Sequence, residues 1–255
     1  MLEDVYYDKE YIKLYLKEGE DLFEFLFEEE DKLLYNISIK RPISKIGITV
    51  LKDVYYDLET AYGYGGIYTN TSDASFLKKA LETYEQECIQ QNIIAEFFRI
   101  HPYNNSNKII KDFYTKYWFD RNTVVVDTTL AKAQRWQGYS AKVRNILRKC
   151  SLELKFEESN NIEEFVRLYY LTMNKNKADE FYYFDMRYFK KLMELQQTKL
   201  FVVKYQDKIV SAAFFMFSEK IVYYHLSAND SEYSNLNANY FILDNIFDLA
   251  IERKI

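Results

Sequence analysis

The sequence predicts an α/β fold of two mixed-sheet lobes, residues 1–138 and 139–255. Three observations carry this reading. Apolar runs of strand length recur in two blocks, and stretches with helical apolar spacing lie among them. A basic helical stretch at 129–150 separates the blocks without any low-complexity linker. At 255 residues the chain is long enough for one large domain or two small ones. With 48% hydrophobic and 29% charged residues, its balance is that of a packed soluble core.

Residues 8–17 read as a short helix with Tyr11, Leu14 and Tyr15 on one face. DLFEFLFEE and KLLYNISIK are strands joined by an acidic turn at Glu29-Glu30-Asp31. Residues 73–92 form a helix capped by Asp73, with Phe76, Ala80, Leu81 and Tyr84 as its apolar stripe. NIIAEFFRI is nearly continuously apolar and is expected as a central strand. A short helix near 107–117 and a strand TVVVD at 123–127 follow. The 129–150 helix breaks at Gly138, and LELKFEE is a strand. Helices at 161–178 and 185–197 precede three antiparallel strands in KLFVVKYQDKIVSAAFFMFSEKIVYYHLSA, with turns at Gln206-Asp207 and Ser218-Glu219-Lys220. The final helix spans about Asn235 to Lys254.

A net charge of -5 argues against a general nucleic-acid or anionic-membrane coat, and no DNA partner is expected. Cys88 and Cys150 have no metal spacing and read as reduced structural thiols. The start MLEDVYYDKE is acidic, unlike a signal peptide, and no apolar run reaches the roughly 18 residues of a membrane span. A cytoplasmic location without an integral span follows as the expectation. Oligomeric state is left open.

Three motifs carry candidate chemistry. AYGYGGIY packs three of the six glycines into 63–66, either as a tight loop or as a cleft lining with Tyr62, Tyr64 and Tyr68 as walls. It has neither the Lys-Ser/Thr of a phosphate loop nor dinucleotide spacing. His101, before Pro102, and His225, in VYYHLS, each end a strand, where a side chain reaches a cleft or settles into the core. No carboxylate or cysteine stands at ligand spacing from either, so no metal site is expected. TLAKAQRWQGYSAKVRNILRKCSL holds six basic residues and no acidic one. Ser140 caps a helix with Val143, Ile146, Leu147 and Cys150 inward, which places Arg144 and Arg148 four apart as a phosphate clamp or as a solvated face.

The ordered set AYGYGG, FFRIHPYNN, YSAKVRNILRK, FVRLYYLTMNKNKADEFYYF, LFVVKYQDKIVSAAFFM and YYHLSAND resembles the Fem-type acyltransferases, over nearly the whole chain. The resemblance implies tandem GNAT-like lobes, the second lacking its C-terminal strands because the chain stops at IERKI. It implies transfer of an acyl or aminoacyl group onto an amine of a peptidoglycan or polysaccharide precursor. Such enzymes take aminoacyl-tRNA or another acyl donor as co-substrate, with no permanently bound cofactor and tRNA as a partner. His101 departs from the pattern, since peptidoglycan-acting members usually carry Asp there. The residues expected at the site are His101 and His225 for catalysis, with Tyr64, Gly65, Gly66, Arg144, Arg148 and Tyr170 for substrate. A CoA-dependent N-acetyltransferase and a non-catalytic GNAT-like binding module are the alternatives. Against CoA stands 226–245, which has no glycine, Arg or Lys and carries Asp230 and Glu232.

Overall fold

The computed structural model describes residues 3–255. The chain divides into two compact units, Met1–Thr123 and Val124–Ile255, each with its own sheet.

In the first unit, α1 (Lys9–Lys13) is capped by the Asp8 carboxylate and is shorter than its apolar spacing predicts. Strands β1 (Asp21–Glu29) and β2 (Lys32–Ile46) form an antiparallel pair closed at Glu30-Asp31. β2 turns at Gly47 into β3 (Thr49–Glu59), a strand the sequence reading left unassigned. The short β4 (Tyr68–Thr69) pairs with the start of β2. Helix α2 (Ala74–Gln90) is capped by Asp73, as its sequence predicts. It buries Phe76, Ala80 and Tyr84 against Phe23, Phe25 and Leu34. Strand alternation sends Tyr35, Ile37 and Ile39 to the opposite face, where α1 covers β1 and β2.

Three segments between residues 93 and 127 differ from their sequence pattern. β5 (Ile93–Phe97) lies parallel to β3 at the end of the order β1-β2-β3-β5, with Ile94 and Phe97 exposed, so the apolar run is an edge strand and not a central one. TVVVD forms no strand; Val124 and Val125 are exposed where the first unit ends and the second begins. Between these, α3 (Ser106–Ile109) and a 3-10 turn at Lys111–Phe113 replace the single helix expected near 107–117.

The second unit opens with α4 (Lys132–Gly138) and α5 (Ala141–Glu153), with Ser140 accepting from the Val143 amide as the N-cap. β6 (Leu154–Glu158) leads to α6 (Ile162–Asn176) and α7 (Met186–Glu194). Strands β7 (Thr198–Tyr205), β8 (Lys208–Phe217) and β9 (Val222–Asn229) complete an antiparallel sheet in the order β6-β7-β8-β9, and α8 (Ala238–Arg253) closes the unit. The sheet is covered on both faces. Phe201, Ala213 and Phe215 meet Ile242 and Ile246 of α8 and Cys150 of α5. On the other face Phe214 packs on Phe165 of α6 and Phe189 of α7. Coverage from both sides explains why β8 is buried along nearly its whole length.

Two glycines separate tight packing from open space. Gly63 has φ +106°, and a Cβ there would stand 2.1 Å from Tyr6 Cε1. Gly138 ends α4 with nothing within 4 Å of an added Cβ. Gly63→Ala is expected to destabilise the protein by about 3 kcal/mol, through strain and overlap together. Gly138→Ala is expected to be neutral or to stabilise it by up to about 1 kcal/mol. Urea unfolding of both variants checks the contrast.

Candidate functional site

The sequence-predicted site residues of the first unit come together in a knot of hydrogen bonds. A 3-10 turn at Val5–Tyr7 is capped by Asp4 and presents the Tyr7 hydroxyl to the glycine loop. That hydroxyl shares its proton between the carbonyls of Gly65 and Gly66, each at 3.1 Å, and accepts from Asn104 Nδ2 at 3.0 Å. Asn104 Nδ2 also donates to the Ile67 carbonyl at 2.9 Å. The Gly65 amide donates to the Arg99 carbonyl, and the Gly65 carbonyl accepts from the His101 amide. The backbone of Gly65 is therefore fully engaged within the unit. Burial pushes the Tyr7 hydroxyl far above the usual phenol range.

His101 is held inside this knot. Its side chain is 0% exposed, with Asp4 Oδ2 3.9 Å from Nε2. The Tyr6, Tyr64 and Tyr103 rings surround it, and the Tyr103 amide donates to Nδ1 at 3.1 Å. Burial lowers its basicity below that of free histidine, and Asp4 only partly opposes the shift. Tyr64, half-buried between Tyr6 and His101, belongs to the same packing.

His225 stands at an irregularity of the second sheet. Phe214 pairs with Leu226 and Phe215 with Tyr224, so His225 is the extra residue of a β-bulge in β9. β9 ends the strand order, and the bulge breaks its ladder with β8 at His225. Tyr188 of α7 shares a 3.1 Å hydrogen bond with His225 Nε2. The Phe184 ring stacks on Tyr188 at 4.2 Å. Tyr170 donates to the Phe184 carbonyl at 2.9 Å and stacks with Tyr183. Tyr170 and His225 are thus linked through Phe184 and Tyr188, two residues the sequence reading did not single out. Phe184 closes the run FYYF, read only as part of the family pattern, and Tyr188 lies four residues beyond it, on the buried face of α7. Phe181, Tyr182 and Tyr183 of this segment remain partly exposed. The result is an aromatic wall beside the bulge.

The basic segment is divided between structure and surface. Arg135, nearly buried, meets Asp244 at 3.0 Å and Asp248 at 2.6 Å, and Lys132 pairs with Asp248 as well. Arg144 is not the free, solvent-facing group expected. Its guanidinium donates to the carbonyls of Trp136, Gln137 and Tyr139 at the end of α4. These are the carbonyls a helix C-terminus leaves unpaired, and a cation is favoured there. Arg148 is exposed and touches Asn145. Of the pair, Arg148 is exposed and Arg144 is half-buried. Cys88 and Cys150 are free and buried, and burial beside Glu96 pushes the Cys88 thiol up to about 12.

After β9, Asp230 is buried and pairs with Lys208 at 3.0 Å, with Arg167 at 4.0 Å. A 3-10 turn at Ser231–Leu236 leads into α8 through Asn237, which takes φ 54° and makes no side-chain cap.

The family described as "Acetyltransferase (GNAT) domain" matches residues 137–255. The crystal structure of FemX superposes with TM-score 0.71 at 11% identity, covering 96% of this chain and 80% of that one. The fold is a Fem-like GNAT fold. A second similar structure is the C-terminal domain of a putative lysylphosphatidylglycerol synthetase from Agrobacterium fabrum. It has TM-score 0.54 and 15% identity, covering 90% of this chain and 68% of that one. No curated protein matches the sequence. Among the described residues, no helix is long and apolar enough to cross a membrane.

The His225 environment sets a pH dependence. Burial pushes its imidazole down to about 3, against about 6.5 in the unfolded chain. Between those values the unfolded state binds the extra proton, so stability present above pH 6.5 is lost as pH falls towards 3. His225→Gln is expected to flatten this acid loss by roughly 2–4 kcal/mol. Urea midpoints of both proteins between neutral and acid pH, compared by slope, check it.

Proposed function

We propose that the protein is an acyltransferase that moves an aminoacyl or acyl group onto an amine of a cell-envelope precursor. One observation carries this: a bulge at His225 on a terminal strand, walled by Tyr188 and Phe184, within a GNAT-type fold. Aminolysis needs a polarised carbonyl and a neutral amine. A bulge turns the groups of a strand out of their regular alternation, and a hydrogen-bond donor aimed from such a point can hold the oxygen that becomes negative as the amine adds. The carbon–oxygen or carbon–sulfur bond of the donor then breaks, and the ammonium proton leaves to solvent. The lowered basicity of His225 suits it to orienting rather than to accepting that proton. Tyr188 fixes the imidazole, and the partly exposed aromatic segment offers apolar faces to the acceptor.

The donor is proposed to be an aminoacyl carrier such as aminoacyl-tRNA, in preference to CoA. The turn before α8 has no glycine to bring backbone amides close to a pyrophosphate, and Arg144 is engaged by α4. The expected acceptor is a peptidoglycan or polysaccharide precursor, with a soluble cytoplasmic enzyme acting on it.

Radiolabelled transfer from aminoacyl-tRNA, and from acetyl-CoA, to a nucleotide-linked muramyl peptide tests the reading with the full chain. Turnover from aminoacyl-tRNA is expected, with kcat about tenfold lower for Tyr188→Phe. Its pH profile should rise with the acceptor amine, near pH ~8 for an α-amine, without an inflection near ~6.5. Calorimetry with acetyl-CoA should give at best weak binding. A low-micromolar Kd, about -8 kcal/mol, with acetyl transfer would make this an ordinary acetyltransferase. Acceptor binding without turnover from any donor would make it a binding module.

A further inference from the structure

The hairpin tip of the first unit carries an exposed apolar finger that the acyl-transfer reading does not use. Ile46 pairs with Thr49, and Gly47, at φ 59°, begins the two-residue turn Gly47-Ile48. Ile46 and Val50 are 58% and 76% exposed, Val54 is 58% exposed, and Ile48 at the apex is fully exposed. The register places Val50 opposite Lys45, on one face, while Ile46 stands opposite Thr49, on the other. The tip is therefore apolar on both faces and at its end. Lys45 and Lys52 flank it together with one carboxylate, Asp53, which leaves the segment net positive, and among the described residues neither lysine is held in an ion pair. Between Ile43 and Lys45 the pairing shifts, with Leu51 to Val54 standing against Ser44, so the tip is set off from the regular part of the sheet.

We infer that this hairpin tip, residues 45–54, inserts into an anionic lipid surface. A convex finger with apolar side chains on every side fits a medium that surrounds it, whereas a protein partner would have to supply a deep pocket around it. Two lysines at its base fall where anionic headgroups lie when the isoleucines reach the acyl boundary. A net charge of -5 opposes adsorption of the whole surface and confines contact to this point. The inference stands independently of the transferase chemistry, since the tip contains none of its residues.

Co-sedimentation of the full chain with vesicles of phosphatidylcholine alone, and of phosphatidylcholine with phosphatidylglycerol, tests this. Binding is expected to the mixed vesicles, falling at least about tenfold in Ile48→Asp, at a position too exposed to affect unfolding. Lys45→Ala and Lys52→Ala should each cost about fivefold at low salt. Ile48→Trp should show blue-shifted emission with the mixed vesicles, and quenching by brominated lipid, relative to the native Trp118 and Trp136 background. Failure to sediment, equal binding by Ile48→Asp, or an unshifted signal from the introduced indole would each overturn the inference. So would a concentration-dependent dimer abolished by Ile48→Asp without vesicle binding, which would assign the tip to a second copy.

Discussion

The Tyr7 hydroxyl is the point on which the first unit's organisation depends. It joins three segments far apart in sequence: the turn at Val5–Tyr7, the glycine loop, and the turn after His101. Each buried hydrogen bond contributes about 1 kcal/mol, and leaving its partners unmet costs more, because buried carbonyls and amides have no water to turn to. The glycines follow from this geometry. Tyr6, next to Tyr7, lies against Gly63, and the Thr60 methyl lies 2.8 Å from where a Gly65 Cβ would stand. A loop that looks poised for a ligand in sequence is held close to its own chain by tyrosines. His101 is buried by the same tyrosines, which is how a histidine comes to sit where an apolar strand ends.

In the second unit the corresponding constraint is the double coverage of the sheet. Phe165, Phe189 and Phe214 pack on one face, and α8 seals the other, so β8 has no freedom to shift. An extra residue in β9 must then be absorbed locally, as a bulge. α7 supplies the support: Tyr188 holds His225 from one side while Phe184 holds Tyr188. The irregular residue is fixed by regular neighbours, which is the condition for a site that keeps its geometry through a reaction.

Most elements were legible in the sequence because their signals are local. The Asp73 and Ser140 caps, the three-strand meander and the stripe of α2 depend on residues a few positions apart. What failed depends on partners. IIAEF has the composition of a central strand, yet only β3 pairs with it, and composition does not count neighbours. TVVVD has strong β propensity and no strand beside it. At the candidate site, the residue types were legible but not their surroundings. Arg144 and Arg148 share a helix face by spacing, but the end of α4 takes the first of them. The bulge at His225 is a count of residues on two strands, and neither strand alone carries it.

The charge argument about the donor also changes once the fold is known. In sequence, Asp230 looks like a carboxylate that would repel a pyrophosphate. In the structure it is buried, accepts from the Glu232 amide, and is neutralised by Lys208, so its charge faces inward. Its pKa lies below the ordinary carboxylate range: burial alone would raise it, but the Lys208 hydrogen bond and the turn amide outweigh that cost. What argues for a larger carrier is shape and the use of donors. The residues before α8 spend their backbone in a 3-10 turn, and Asn237 takes the left-handed conformation without capping the helix. A pyrophosphate would need backbone amides brought close by glycine, and none stands there. An aminoacyl-tRNA carries phosphodiesters and no pyrophosphate, so it does not call on that turn in the same way. The proposed donor therefore rests on which groups the fold has already committed rather than on net charge.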